Sequence, residues 1–306
     1  NTATRGSRKE FPAVAVIVAE ANTVTIYDGD DPSLPMWMVF SGGLEGSSPN
    51  RINALGGGAV TSLSIAALNG QLVIGKNSTA QSSAALIWSF TEDRFGNYTN
   101  NVAWGGWAGV ISTRQELGIL DASFPSIVNS VVNDVAMTVL PDAPIDPATG
   151  LQIPTIAVAT AGGVSVITDS GAVYDITGTF LFSGAIAFDE ATAIWNFGAA
   201  AASQGNYWGF DVTGMSADIT TTSCFSLGAT AGYGGSTPYI GGNTNSDSIS
   251  IGNNTALSAG GSGPSDTHLA VYARNPIAPS KSMIAYTTSS YTSGWMPGNI
   301  KGAFLA

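Results

Sequence analysis

The sequence predicts an all-β protein, a β-propeller of five blades, and three observations carry that expectation. One is a hairpin pattern written five times. Val14 to Val18 is followed by Thr23 to Tyr27, Leu63 to Ala67 by Leu72 to Gly75, and Ile156 to Thr160 by Val164 to Thr168. Ala185 to Phe188 is likewise followed by Thr192 to Trp195, and His268 to Tyr272 by Ser282 to Tyr286. Each unit is an apolar, β-branched or aromatic run, a short polar or glycine break, and a second such run. A second observation is that small sheets unable to bury their own faces must stack on one another, which a ring of blades does. The third is size: 306 residues that are 44% hydrophobic suffice for one large core, and such a composition argues against disorder.

The first blade runs from about Phe11 to Phe40. Asp28-Gly-Asp-Asp-Pro-Ser33 turns the chain and Met36 to Phe40 supplies a third strand. A Gly/Ser/Asn stretch, Ser41 to Asn50, links it to the second blade. That blade has Val60 to Leu68, an Asn69-Gly70 pair suited to a type I′ turn, Gln71 to Gly75, and Ala85 to Phe90. Residues 91 to 125 are less regular, with a strand expected within Trp104 to Ile111 and one helical turn at Thr113 to Leu120.

The third blade reads as four strands: Val131 to Leu140, Thr155 to Thr160, Val164 to Thr168 and Ala172 to Ile176. A Pro- and Asp-rich excursion ending at Pro154 separates the first two, and a Gly162-Gly163 turn the next two. The fourth blade spans Phe180 to about Val212, and the last about Thr267 to Trp295. Between them, 214 to 265 is rich in Gly, Ser, Thr and Asn, with short apolar runs such as Ile249-Ser-Ile251. It is expected to form extended loops and edge strands. The recurrences are unevenly spaced. Five blades match the five alignments, and a sixth would fit in 96 to 125 or 216 to 258. A jelly roll or sandwich shares the alternation of strands with Gly-rich turns. Residues 1 to 10 read as a linker and 11 to 306 as one domain. A start at Asn1, with neither Met nor a signal peptide, fits a processed product or a fragment of a longer chain.

Charge and composition narrow the function classes. Charged residues make up 10% of the chain, against roughly 25% in ordinary soluble domains, and polarity comes instead from 38 Gly with long Ser/Thr/Asn stretches. Neutral polar surfaces of this kind suit extracellular and virion proteins. The net charge is −11 and the 10 basic residues are dispersed, so no basic stripe exists for nucleic acid. No apolar run reaches the roughly 18 residues of a spanning helix; the longest, Phe11 to Ala19, has strand length. Cys224 is the single cysteine, which excludes an intramolecular disulfide and a thiolate metal cluster and reads as a small buried hydrophobe. Sequons at Asn77, Asn97 and Asn253 are explained by the abundance of Asn and Thr.

Local signatures of chemistry are sparse. With one histidine, His268, a multi-histidine metal site is excluded and a Ser-His-Asp triad would depend on that residue. There is no Gly-x-Ser-x-Gly, phosphate-binding glycine loop, His-Glu-x-x-His or sialidase-type Ser-x-Asp-x-Gly-x-Thr-Trp box. Glycoside hydrolysis needs only two carboxylates, and Asp134, Asp169, Asp175, Asp189, Glu190 and Asp266 are available. Asp169 and Glu190, however, fall at hairpin turns, where acids serve local backbone hydrogen bonds. Asp28, Asp30 and Asp31 put three carboxylates into one turn, a hard oxygen set of the kind calcium takes; the residues favour a solvated turn and no cofactor. Trp104 and Trp107 among glycines, and Tyr207 and Trp208 after the Ala199 to Gly205 linker, are the ligand-binding candidates. Aromatic rings off the regular core strands would stack on sugars or pack on a partner, whereas rings between sheets would be core.

Two segments, Lys9 to Phe40 (KEFPAVAVIVAEANTVTIYDGDDPSLPMWMVF) and Ser282 to Gly302 (SMIAYTTSSYTSGWMPGNIKG), resemble segments of large virion proteins of tailed bacteriophages from marine and other aquatic settings. The resemblance covers both ends of the chain. It implies an internal domain of a tail fibre or other appendage in the virion, and carries over no catalytic residue. Together these readings give a non-enzymatic structural or host-recognition module whose partners are other virion proteins and a host cell-surface glycan. A homotrimer follows by analogy with tail fibres alone. The alternatives are a secreted glycoside hydrolase and a carbohydrate-binding module of a bacterial surface protein.

Overall fold

The structure, a computed structural model, describes residues 12–20, 23–41, 63–76, 84–90, 94–100, 104–108, 125–147, 149–178, 183–189, 192–197, 206–220, 225–226, 246–252, 255–260, 268–273, 283–288 and 301–304. Every regular element among them is a β-strand, and the strands form five sheets.

Sheet 1 is the meander β1 (Ala15–Glu20), β2 (Thr23–Asp28) and β3 (Met36–Ser41). Sheet 2 is a five-stranded meander of β4 (Leu63–Leu68), β5 (Gln71–Lys76), β6 (Ala85–Ser89), β7 (Arg94–Tyr98) and β8 (Trp104–Ala108). Sheet 3 contains β9 (Val132–Thr138), β10 (Thr155–Thr160), β11 (Gly163–Ile167) and β12 (Val173–Thr177). Sheet 4 has β13 (Ser183–Asp189), β14 (Thr192–Phe197), β15 (Asn206–Asp211) and, after β16 (Ile219–Thr220), β17 (Phe225–Ser226). Sheet 5 is the meander β18 (Ser246–Gly252), β19 (Thr255–Gly260), β20 (His268–Ala273), β21 (Met283–Thr288) and β22 (Lys301–Phe304). All pairings between strands that are neighbours in a sheet are antiparallel except one. β16 leaves sheet 4 and pairs in parallel with β12 at the outer edge of sheet 3, tying the two sheets.

Turn chemistry explains the tight connections. Asn69 and Gly70 both have positive φ, 47° and 74°, as the type I′ turn between β4 and β5 requires. Gly163, at φ 137°, opens β11 where an added Cβ would lie 2.4 Å from the carbonyl oxygen of Ile176, so only glycine fits there.

Core formation follows from strands buried on both faces. Along β5, Leu72 and Ile74 join Val24, Ile26, Trp37, Met38, Leu86 and Trp88 in a cluster between sheets 1 and 2. The alternate residue Val73 joins Ala85, Tyr98, Ile127, Val132, Val135, Ile156 and Val158 between sheets 2 and 3. Alternation repeats on β10, where Ala157 and Ala159 turn the other way, toward Val164, Val166, Ile176, Ile186 and Val212 between sheets 3 and 4. Two-sided burial makes these strands near-continuous apolar runs, hence the clarity of their hairpins in the sequence. Serial stacking of five sheets replaces the two-sheet sandwich or jelly roll.

The stacking has a common side. β1 packs against β4, β4 against β9, β9 against β13 and β13 against β18, so the first strand of each sheet meets the first strand of the next.

Several expectations need correction. Within 214 to 265, β16, β17 and β18 are edge strands as expected, whereas residues 255 to 260 form β19, an inner strand of sheet 5. Residues 94–98 and 104–108 extend sheet 2 rather than beginning a sixth unit. The helical turn expected at 113 to 120, and the 1–10 linker, lie outside the described residues.

Candidate functional site

A polar network among the described residues lies where the first strands of sheets 2, 3 and 4 meet. A strand at a sheet edge has backbone N–H groups without a ladder partner, and such groups are costly unless another acceptor is found. Side chains from the preceding sheet supply one here. Ser64 Oγ, on β4, accepts the N–H of Val135 on β9 at 3.2 Å. Asp134 Oδ2, on β9, accepts the N–H of Ile186 on β13 at 2.9 Å. The two links are joined, because Ser64 Oγ donates to Asp134 Oδ1 at 2.5 Å and the same oxygen accepts the Val135 N–H at 2.9 Å. Asp134 is half-buried, and burial pushes its carboxyl above the ordinary carboxylate range, outweighing the bonds from Ser64, Ile186 and Val135.

The local sequence explains the repetition. Ser64-Ile-Ala, Asp134-Val-Ala and Ala185-Ile-Ala occupy equivalent stretches of β4, β9 and β13. In the second and third, the β-branched middle residue, Val135 or Ile186, presents the N–H that the preceding sheet caps.

Asp175 makes a second pair. Its Oδ1 accepts a 2.5 Å bond from Ser165 Oγ, which itself accepts the Val128 N–H at 2.9 Å. Burial again raises this carboxyl, with Asp218 adding in the same direction. Asp218 Oδ1 meanwhile accepts the Asp175 N–H at 2.9 Å, fastening the segment that leads into β16.

Asp134 and Asp175 were both candidates for acid-base work, and the structure engages each with a serine hydroxyl and with backbone. Asp169 sits in the β11–β12 turn, as its neighbours predict. Asp189 ends β13, Glu190 and Asp266 lie outside the described residues, and His268 opens β20. Cys224 also lies outside them.

The calcium candidates do not converge on a cation site: no group of three or more metal-ligating side chains occurs among the described residues. Each carboxylate works on the loop instead. Asp28 Oδ1 accepts the Asp30 N–H at 3.0 Å, and Asp30 accepts the N–H groups of Ala13 and Val14 at 3.0 and 3.1 Å. Asp31 Oδ1 accepts both the N–H and the Oγ–H of Ser33, which lowers its pKa.

Trp104 and Trp107 lie on β8, in register with Asn97 and Phe95. Tyr207 and Trp208 lie on β15, in register with Asn196 and Trp195. Both pairs belong to strands, β8 at the edge of sheet 2 and β15 inside sheet 4.

Sequence reasoning passed over Lys76. It ends β5 at 2% exposure, and burial lowers its pKa to about 8. The only signal was a lysine closing an otherwise apolar run, Leu72-Val-Ile-Gly-Lys76.

No protein family and no curated protein matches the chain. Among solved structures it is similar to the hydrazine synthase of Kuenenia stuttgartiensis at TM-score 0.44 and 9% identity, over 95% of this chain and 63% of that one. A computationally designed protein, Ika8, is similar at TM-score 0.37 and 11% identity, over 96% and 85%. The RS223 β-xylosidase is similar at TM-score 0.31 and 11% identity, over 84% and 82%. The chain thus spans less than two thirds of the hydrazine synthase chain. Likeness at these scores assigns neither fold family nor function.

Proposed function

We propose that the chain is a rigid, non-enzymatic β-propeller module of a tailed-bacteriophage appendage, in which stacked sheets carry loops toward a host glycan or neighbouring virion proteins. One observation carries the reading: Ser64 and Asp134, polar residues on two of the first strands, are bonded into the neighbouring sheets. Asp134, one of the acid-base candidates, caps the Ile186 N–H and binds Ser64. A glycosidase needs a carboxyl poised at a substrate, whereas this one joins three sheets. The resemblance of the chain's two ends to virion proteins supports the placement in a particle.

Ring closure is part of the proposal. The five sheets follow one another in sequence order with first strand packed on first strand. At one end of the stack, sheet 1 presents Val16, Val18 and Val39 at 41%, 42% and 39% exposure. At the other end, two strands of sheet 5, HLAVYA and MIAYTT, carry apolar residues at successive positions rather than at alternate ones. A sheet apolar on both faces requires a cover on both. Sheet 4 covers one, through β13 and β14 on β18, and the valine face of sheet 1 is the cover that closes a ring of five.

The functional test is direct. The purified chain, added to host cells before the phage, is expected to bind them and slow adsorption while releasing no reducing sugar from host envelope polysaccharide. Reducing-end release that disappears in Asp134→Asn would overturn the non-enzymatic reading.

A further inference from the structure

Asp134 is the one described side chain that bonds to the first strands of both adjoining sheets: Ser64 on β4 at 2.5 Å and the Ile186 N–H on β13 at 2.9 Å. We propose that it is a proton-operated clasp, holding sheets 2, 3 and 4 most firmly when its carboxyl is protonated, so that the stack tightens as its surroundings turn acidic. The inference rests on the inter-sheet geometry and is independent of the biological role assigned above.

Three features support it. Asp134 is half-buried, and among the described residues none of the strands packed against β9 sets a cation before the carboxylate. Those strands are β4, β5, β10 and β13. β4 and β10 have no titratable residue, and the one acid of β13 is Asp189 at its C-terminal end. β5 ends in Lys76, but Gly75 is the residue whose face meets Val132 and Val135, and strand alternation directs Lys76 to the opposite face. A half-buried carboxylate without a counter-charge is costly in its ionised form.

The protonated form keeps the three bonds that run between sheets and gives up only the one within β9, from the Val135 N–H to Oδ1. Oδ2 continues to accept from Ile186, the Oδ1 hydroxyl donates to Ser64 Oγ across the same 2.5 Å, and Ser64 Oγ continues to accept from Val135. Burial accordingly raises the pKa in the folded chain above its ordinary value of 3.8. Between 3.8 and that raised value the folded chain binds more protons than the unfolded one. Stability from this group therefore climbs as pH falls through the folded pKa, and levels off below 3.8.

The experiment compares unfolding midpoints of the full chain and its Asp134→Asn variant from pH 3.5 to 8. Asparagine mimics the neutral acid, so the variant is expected to melt above the native chain at pH 8, with a gap that closes toward pH 3.5. A gap independent of pH, or one that widens in acid, overturns the proposal. Carbon-13 titration of the Asp134 carboxyl in the native chain gives a second test that does not depend on the variant folding. A midpoint above 3.8 is expected, and one at or below 3.8 refutes the clasp.

Discussion

Single residues set limits that substitution can probe. Gly163 and Gly171 both have positive φ, 137° and 81°, but a Cβ at Gly163 strikes the Ile176 carbonyl while nothing lies within 4 Å at Gly171. Gly163→Ala should cost about 3 kcal/mol or more and Gly171→Ala about 1 kcal/mol, read from chemical denaturation. Lys76 offers a pH test of opposite sign to Asp134. Its pKa falls from 10.5 to about 8 on folding, so the folded state binds fewer protons between those values and stability rises with pH across that window. Lys76→Met should raise the unfolding midpoint at pH 7 and lose that advantage above pH 10.5. At this scale the turns were legible: Asn69-Gly70 sets its turn in adjacent residues and the carboxylate bonds of Asp28 and Asp31 stay within two residues, although Asp30 reaches back to Ala13 and Val14. The role of Asp134 was not, since its partners Ser64 and Ile186 lie 70 and 52 positions away.

Elements meet one another through close contacts that the strand pattern alone does not reveal. Gly75 is the narrow point between sheets 2 and 3, where an added methyl would sit 2.6 Å from Val132 Cγ1 and 2.9 Å from Val135 Cγ1. Gly75→Ala should cost about 1–3 kcal/mol by overpacking, and Val132→Ala about 1–3 kcal/mol by leaving a cavity. The double variant should cost less than their sum, because one change makes room for the other; strict additivity in a double-mutant cycle would refute the contact. Strands buried on both faces, β5, β10 and β11, were plain in the sequence. β18 and β19 were not, because SDSISIG and TALSAG share the Ser/Gly character of loops. The alignments also mixed phases. They paired the first two strands of sheets 1, 2 and 4, the second and third of sheet 3, and the third and fourth of sheet 5.

The whole molecule becomes more regular once the sheets are counted from their first strands. These begin at Ala15, Leu63, Val132, Ser183 and Ser246, intervals of 48, 69, 51 and 63 residues. Irregularity in the sequence thus came partly from matching unlike strands, and the two longest intervals hold the stretches between β8 and β9 and between β17 and β18. The interfaces of sheets 1 with 2, 2 with 3 and 3 with 4 each combine an apolar cluster with first-strand packing, and sheets 2, 3 and 4 add the capped N–H groups of Val135 and Ile186. Closure by sheet 5 would give sheet 1 the same two-sided burial that its neighbours have. Val18 reports on it most directly, at 42% exposure in the middle of the valine face. In a Cys224→Ala background, Val18→Cys should react with a water-soluble maleimide at least about tenfold more slowly in the folded chain than in the urea-unfolded chain. Reaction at the unfolded rate under native conditions would contradict the ring.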